Sequence, residues 1–462
     1  MIGADPGSFR DPTSRVHLDG DVVLRGLSQA GLEDFQALQA TDFFRDAVEG
    51  GEIVSTKLTD AGSHALHDIW AGVLTHERIP MINYPSEWSF EMLRDAALAH
   101  LDLTRRAIAA GLSTKDASAF NLSFDGTRPV FFDIGSFEVP RRNEPWAGYR
   151  QFGDHFLNPL VLQAKTGVAF HPWLRGTVNG ISPRDVAALV PMRRRLGGGL
   201  GVHVTAAARA QAKSLKAPEG ADLQGPKAGF SPKLVTAQLN SLEKAIRSLR
   251  WKAQRSVWSD YSDRSHYGSE LPDKERFVQE AVRTHSPQLM LDLGANDGHF
   301  SLLGAEAGAR RVIAADIDHL VVDRLYRHLR DTGETRILPL VVDLMNPAGA
   351  SGWRSVERRP FLERVRPDLV ACLAVVHHLA ITDTVPFSEI VEMFAGFDCP
   401  VVVEFPHPED PKVQVLLARK RAGLFDHYRV DAWESALAER FETVQRQDLA
   451  TRTLYRLVPR RS

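Results

Sequence analysis

Cysteine is nearly absent, with only Cys372 and Cys399 among 462 residues. Both stand in apolar, strand-like stretches without metal-ligand spacing, so a disulfide framework and a thiolate metal site are excluded and buried thiols in a reducing compartment are expected. Net charge is equally sparse. Lys plus Arg number 56 against 58 for Asp plus Glu, so no global field draws the chain to nucleic acid or to an anionic bilayer, and neither is an expected partner. No run approaches the roughly 18 apolar residues of a membrane span. The opening MIGADPGSFRDP lacks the apolar core of a secretory signal, so a cytoplasmic location is expected. What is present is length and apolar content: 44% hydrophobic residues suffice for two or three domains with their own cores.

The chain is organised around LMLDLGANDGHFS, Leu289 to Ser301. It reads as a buried parallel strand, a tight turn bracketed by Gly294 and Gly298, and the first turn of a helix. A second apolar strand, RVIAAD, ends in Asp316, 22 positions beyond Gly294. An acid at that place in a strand-turn-helix-strand unit meets the hydroxyls of a ribose. The loop has Ala295 and Asn296 where a dinucleotide fold places its middle glycine, which argues against NAD. The pattern continues with strands at Ile337 to Val342, Asp368 to Val375 and Pro400 to Phe405, separated by helices at Phe300 to Ala307 and Leu320 to Arg330. Such alternation predicts a doubly wound α/β fold with ligands at the carboxyl ends of the strands.

LDLGANDG, AADID and VVDL resemble, in order, the motifs of class I S-adenosylmethionine-dependent methyltransferases. The resemblance implies a Rossmann-like sheet of seven strands closed by an antiparallel pair, for which Val444 to Val458 supplies alternating residues. It implies that Asp292, Gly294, Ala295, Asn296 and Gly298 line the methionine end of the cofactor, that Asp316 and Ile317 lie at the ribose, and that Asp343 and Leu344 lie at the adenine. VVHHL resembles a stretch common in small-molecule members of the class and puts His377 and His378 at the rim of strand four, where an imidazole can accept a proton as a methyl group moves; packing or helix capping is the alternative. Glu404 ends the fifth strand at the same rim as a candidate catalytic or substrate contact. His407, Glu409 and Asp410 follow it without a defensible metal spacing, so no metal is expected in this domain and loop capping is.

The N-terminal half carries a different constellation. Residues Ser14 to Leu27 alternate about Asp19-Gly20, a hairpin signal with both central residues at positive φ; short strands are expected at Ile69 to Leu74 and Ile79 to Asn83. Ser89 reads as the N-cap of a long helix with Phe90, Leu93, Ala97, Leu101 and Ile108 on one stripe. In STKDASAFNLSFDGTRPVFFDIGSF, a hairpin turning at Asp125-Gly126 places Asn121 and Asp133 at its open ends, roughly 5 Å apart. With Asp116 upstream they make an oxygen-rich site fit for Mg²⁺ and a nucleotide phosphate.

That spacing resembles the catalytic loop and metal motif of protein-kinase-like and aminoglycoside-phosphotransferase-like folds. By the resemblance Asp116 matches the base, Asn121 a metal ligand and Asp133-Ile134-Gly135 the second metal motif. A glycine-rich phosphate loop is missing, and Arg25 stands where a nucleotide-binding Lys is expected. ATP and Mg²⁺ are therefore candidate ligands of a degenerate α+β kinase-like domain, and turn-capping roles for the three residues remain the alternative.

Gly, Pro and polar residues near 216–232 predict a linker between a kinase-like domain over 1–215 and a connecting segment over 233–270, with the methyltransferase domain over 271–462. A helix from Pro232, with Val235, Leu239, Leu242, Ile246 and Leu249 on one stripe, opens the connecting segment. It packs between domains, mediates self-association or presents a basic face. Trp258, Tyr261 and Tyr267 follow as a possible lid or as interdomain packing. YPSEWSFEMLRDAALAHLDL, KDASAFN and EDPKVQVLLA together resemble a bacterial two-part family that includes nodulation-related methyltransferase-like proteins. The expected activity is methyl transfer to a small-molecule acceptor, a sugar derivative or natural product, positioned by the N-terminal domain. A bifunctional enzyme with a live phosphotransferase half and a non-catalytic nucleoside-binding scaffold are the alternatives.

Overall fold

The computed structural model describes residues 2–140, 145–197, 199–214, 231–252 and 270–460. The chain divides into two compact units, one of Met1–Gln254 with Gly349–Arg359 and the other of Arg255–Ala348 with Pro360–Ser462. The segment 349–359 interrupts the second unit in sequence but packs within the first. There Glu357, buried, receives Nε and Nη2 of Arg10 at 2.6 and 2.8 Å, and Arg358 lies over the Phe120 ring, 4.4 Å from its centroid.

The first unit begins with strands β1 (Gly3–Ala4), β2 (Ser14–Asp19), β3 (Val22–Leu27), β4 (Thr56–Leu58) and β5 (Gly72–His76) in an antiparallel sheet of order β1-β2-β3-β5-β4. The hairpin is where the alternation places it, but Asp19 pairs with Val22, so the central residues are Gly20 and Asp21, and of these only Gly20 has positive φ. The strand expected near Ile69 is shifted to β5 because Ile69 is 76% exposed, and Ile79 to Asn83 forms no strand; β5 pairs instead with β3 and with the unforeseen β4.

Ser89 caps the helix Phe90–Ala109 by accepting from the Met92 amide, and all five residues of the expected stripe are buried. An uncapped start would cost about 1 kcal/mol. Strands β6 (Ser113–Thr114), β7 (Leu122–Asp125), β8 (Arg128–Phe131) and β9 (Phe137–Glu138) follow as two small antiparallel pairs, β6-β9 and β7-β8. The helix Pro232–Ser248 buries Val235, Leu239, Leu242 and Ile246 and packs on the helix Phe90–Ala109, with Arg105 Nε 3.2 Å from Asn240 Oδ1. Its apolar stripe is thus spent on packing within the first unit, which is none of the three roles expected of it.

The second unit is a seven-stranded sheet of β10 (Met290–Leu293), β11 (Val312–Asp316), β12 (Ile337–Val341), β13 (Leu369–Cys372), β14 (Val401–Pro406), β15 (Phe441–Asp448) and β16 (Arg452–Pro459), in the order β12-β11-β10-β13-β14-β16-β15. The first five are parallel; β16 runs antiparallel to both β14 and β15. Each parallel strand is an apolar run because helices cover both faces. The helix Leu271–His285 contributes Phe277, Val278, Ala281 and Val282 to the core beneath β10. Strand β13 ends at Cys372, short of the expected Val375, because Ala374 adopts φ 56 and turns the chain out of the ladder. Both cysteines are buried free thiols. Among the described residues no helix is long and apolar enough to cross a membrane.

Candidate active site

The order of connections reverses at β10, whose neighbours are β11 on one side and β13 on the other. At such a point the two crossovers leave in opposite directions and open a crevice at the carboxyl edge, where ligands of doubly wound sheets bind. The loop after β10 lies in that crevice. Gly294 N–H and Ala295 N–H both donate to Ala315 O, at 2.8 and 3.1 Å, and Asn296 N–H donates to Asp316 Oδ2 at 2.9 Å. Gly294 and Gly298 sit at φ 79 and 80; a Cβ on Gly294 would stand 2.3 Å from Val375 Cγ2, and one on Gly298 would stand 2.5 Å from Leu325 Cδ1. Only glycine satisfies backbone and packing together at these two places.

Asp316 is the fastener of this loop. Its Oδ2 takes the Asn296 amide and its Oδ1 takes the Asp318 amide at 2.8 Å, and burial, opposed by those hydrogen bonds, pushes its pKa up to about 6. The Ile317 amide adds a third hydrogen bond, which leaves the carboxylate part of its acceptor capacity. Asp318, which the sequence reading passed over, caps the helix His319–Thr332 through Oδ1, while its Oδ2 is buried without a hydrogen-bond partner. An Asp directly before an apolar-periodic helix is a capping signal and was available in the sequence.

Asp292 is fully enclosed within β10, accepts from Ser301 Oγ at 2.6 Å, and is pushed up to about 7 by burial, with Asp316 and Asp297 adding to the rise. It steadies the start of the following helix, with no exposed face of its own. Ile317 is 55% exposed beside Asp316, and Asp343, half-buried after β12, accepts the Met345 amide at 3.0 Å. Leu344 lies next to it, half-buried. The structure therefore brings the loop, Asp316, Ile317 and Asp343 to one edge, the ends of the adjacent strands β10, β11 and β12.

His377 and His378 follow β13 at the same carboxyl edge, with ring centroids 4.1 Å apart. His377 is 2% exposed and its Nδ1 has no hydrogen-bond partner. Burial, then the cations Arg452 and Lys412, hold His378 down to about 4, and burial with His378 beside it holds His377 well below its ordinary value. The sequence suggested a rim imidazole titrating near neutrality; desolvation makes both rings neutral and weakly basic.

Glu404 departs from expectation more sharply. It is buried, and its Oε1 is bound by Lys274 Nζ at 2.5 Å and Arg452 Nη1 at 3.1 Å, while Arg452 Nε also binds Asp410 Oδ2 at 2.7 Å. Burial acts to raise its pKa, but the two cations prevail and keep it below the usual carboxylate range. Glu404 is thus held as a buried counter-charge to Lys274 and Arg452. Asp410 caps the helix Pro411–Leu417, and His407 Nε2 meets Thr453 Oγ1 at 2.8 Å, in keeping with loop-capping roles. Among the described residues no group of three or more His, Cys, Asp or Glu side chains is placed to share a metal ion. Trp258, Tyr261 and Tyr267, with most of the linker, lie outside the described residues.

In the first unit, Asn121 O accepts from Phe132 N–H at 3.0 Å, which puts Asp133 one residue past the ladder instead of opposite Asn121. Ser136 joins the two, donating from Oγ to Asp133 Oδ2 at 2.7 Å and accepting from Asn121 Nδ2 at 3.0 Å. Arg25 Nη1 is 2.8 Å from Asp133 Oδ1. Asp116 Oδ1 accepts from the Ser118 amide at 2.7 Å, and burial, with Asp133 adding to it, raises its pKa.

Sheet order and glycine-loop geometry together make the second unit a doubly wound α/β sheet of seven mixed strands with its ligand edge at the ends of β10, β11 and β12. The chain is 34% identical over 462 residues to nodulation protein NoeA of Rhizobium meliloti (strain 1021), covering 98% of this chain and 95% of that one, and it belongs to that protein's family. No family model matches. Similar solved structures include the N-methyltransferase NodS from Bradyrhizobium japonicum WM9 (12% identity, 42% of this chain and 97% of that one, TM-score 0.30). They also include an S-adenosylmethionine-dependent methyltransferase from Aquifex aeolicus (14%, 45% and 98%, TM-score 0.32) and the bifunctional kinase-methyltransferase WbdD (15%, 42% and 39%, TM-score 0.30).

Proposed function

We propose that the second unit catalyses methyl transfer from S-adenosylmethionine to a small-molecule acceptor, and that the first unit positions the acceptor. The observation that carries this reading is the loop after β10, held against the ends of β11 by Asp316 and kept free of side chains at Gly294 and Gly298. The residues present fit the cofactor. Gly294 and Gly298 let the loop turn tightly against Val375 and Leu325, Asp316 keeps acceptor capacity for a ribose hydroxyl, and the orphaned Oδ2 of Asp318 is a further acceptor nearby. When bound, S-adenosylmethionine supplies an electrophilic methyl group on a sulfonium.

The chain's own contribution is alignment, since displacement at carbon needs attacker and leaving group in line. The acceptor's proton leaves to solvent, or to one of the neutral pair His377 and His378, of which His378 is the half-buried one. A sugar derivative or a natural product is the acceptor class we favour.

In the first unit the Arg25–Asp133 pair supports a reading without phosphoryl transfer. A guanidinium already neutralises the carboxylate expected to hold Mg²⁺, and charge neutralisation by the metal is what such transfer requires. Asp316→Ala is the direct test of the methyltransferase site. It removes the anchor of Asn296 and the expected ribose acceptor, so S-adenosylhomocysteine binding measured by calorimetry should weaken by at least about 1 kcal/mol, roughly fivefold or more. Unchanged affinity would refute the site. ATP hydrolysis that requires Mg²⁺ and is abolished by Asp116→Asn would instead establish the bifunctional reading.

A further inference from the structure

Charges that cancel over the whole chain, 56 basic residues against 58 acidic, are unevenly spread. Between residues 145 and 214 nine Lys and Arg stand against two acids, a net charge of +7. Both acids are already engaged. Asp154 is buried beside Arg150, whose Nε lies 3.6 Å from its Oδ2, and Asp185, in the first turn of the helix Pro183–Leu189, accepts from Ser182 Oγ at 2.7 Å. The stretches 155–184 and 186–214 hold no Asp or Glu.

The basic charge meets apolar surface at one joint. The helix Asn158–Thr166 ends at Gly167, φ 81, and Arg194 Nη1 donates to Lys165 O at 2.5 Å, which fixes the 3₁₀ turn Met192–Arg194 against that helix end. Val168 follows the helix end, its N–H given to Thr166 Oγ1 at 3.0 Å, and Leu189, Met192 and Leu196 belong to the turn and its flanks. These four aliphatic side chains are 45 to 59% exposed. Of the three consecutive arginines, Arg195 is buried, and Arg193 and Arg194 lie on the surface. Exposed apolar side chains gathered in a patch and rimmed by charge mark interaction surfaces.

We propose that this joint docks the protein on an anionic bilayer surface, with Val168, Leu189, Met192 and Leu196 entering the headgroup layer and Arg193 and Arg194 meeting lipid phosphates. Aliphatic groups gain by leaving water for the boundary between headgroups and acyl chains, and cations beside an anionic leaflet add to that attraction. A single-stranded nucleic acid presents phosphates too, but its binding draws on aromatic stacking, and none of the four apolar side chains is aromatic. A bilayer uses the basic and the apolar halves of the patch together.

Sedimentation of the full chain with vesicles tests it, using phosphatidylcholine alone and an equal mixture of phosphatidylcholine and phosphatidylglycerol. The protein should partition at least about tenfold more strongly to the anionic vesicles, and added salt should reduce that partition. Arg193→Glu should weaken it at least about fivefold, and Met192→Ser combined with Leu196→Ser should do so at least about fivefold through the apolar half alone. All three positions are exposed, so an unchanged thermal midpoint should mark each variant as folded. No binding to the anionic vesicles, equal binding to both kinds, or wild-type binding by either variant would each overturn the proposal. So would displacement from the vesicles by millimolar glycerol phosphate, which would assign the surface to a soluble phosphate, or binding of a short single-stranded RNA that exceeds vesicle binding and survives the double Ser variant.

Discussion

Gly294→Ala concentrates the argument for the cofactor loop into one methyl group. At φ 79 an alanine pays for a left-handed backbone, about 1 kcal/mol. Its Cβ would stand 2.3 Å from Val375 Cγ2, a separation that forces one of the two to move, and overpacking of that kind adds about 1 to 3 kcal/mol. A loss of about 3 kcal/mol follows. In a domain of about 150–250 residues it lowers the melting transition by about 6 to 12 °C. Val375→Ala removes the colliding methyl, so the double variant should recover the packing part and retain only the backbone part, about 1 kcal/mol. Differential scanning calorimetry of the four proteins, with and without S-adenosylhomocysteine to mark the second unit's transition, measures this coupling. A shift under about 2 °C for Gly294→Ala, or a penalty that persists undiminished in the Val375→Ala background, would show that the loop is not packed as described.

Other consequences are equally direct. Lys274→Met leaves Glu404 buried with Arg452 as its remaining close cation, and breaking a buried pair costs about 3 kcal/mol or more; a urea midpoint equal to wild type would contradict the network. Asp292 has a folded pKa raised to about 7, above its unfolded value, so its contribution is fully present below about pH 4 and is lost as pH rises to about 7. Asp292→Asn should therefore flatten stability between these limits by a few kcal/mol, read from denaturation midpoints at several pH values; an unaltered profile would count against the buried acid. If His377 takes the acceptor's proton, His377→Ala should lower turnover far more than it lowers S-adenosylhomocysteine affinity, whereas equal losses would assign it to packing.

Several features were legible in the residues because their causes are local. Ser89 before Phe90 is a cap wherever that helix packs, and the Gly294–Gly298 turn followed by Asp316 names a strand-turn-helix-strand unit by spacing alone. That the second unit holds a parallel sheet between helices follows from the alternation of apolar runs and helical stripes, since parallel strands are buried on both faces. What depends on which elements meet was not legible. Glu404, at the rim by sequence, became a structural counter-charge because Lys274, 130 residues earlier, and Arg452, 48 later, converge on it. Ser136 links Asn121 to Asp133, and Arg25 reaches Asp133 from another strand. The depressed pKa values of His377 and His378 come from enclosure, which no window of sequence reports. Residues 349–359, which sequence order places in the methyltransferase domain, pack in the first unit through Glu357 and Arg358. Periodicity and caps are properties of a dozen neighbouring residues, whereas desolvation and charge pairing are properties of the neighbours in space, and only the tertiary structure chooses those.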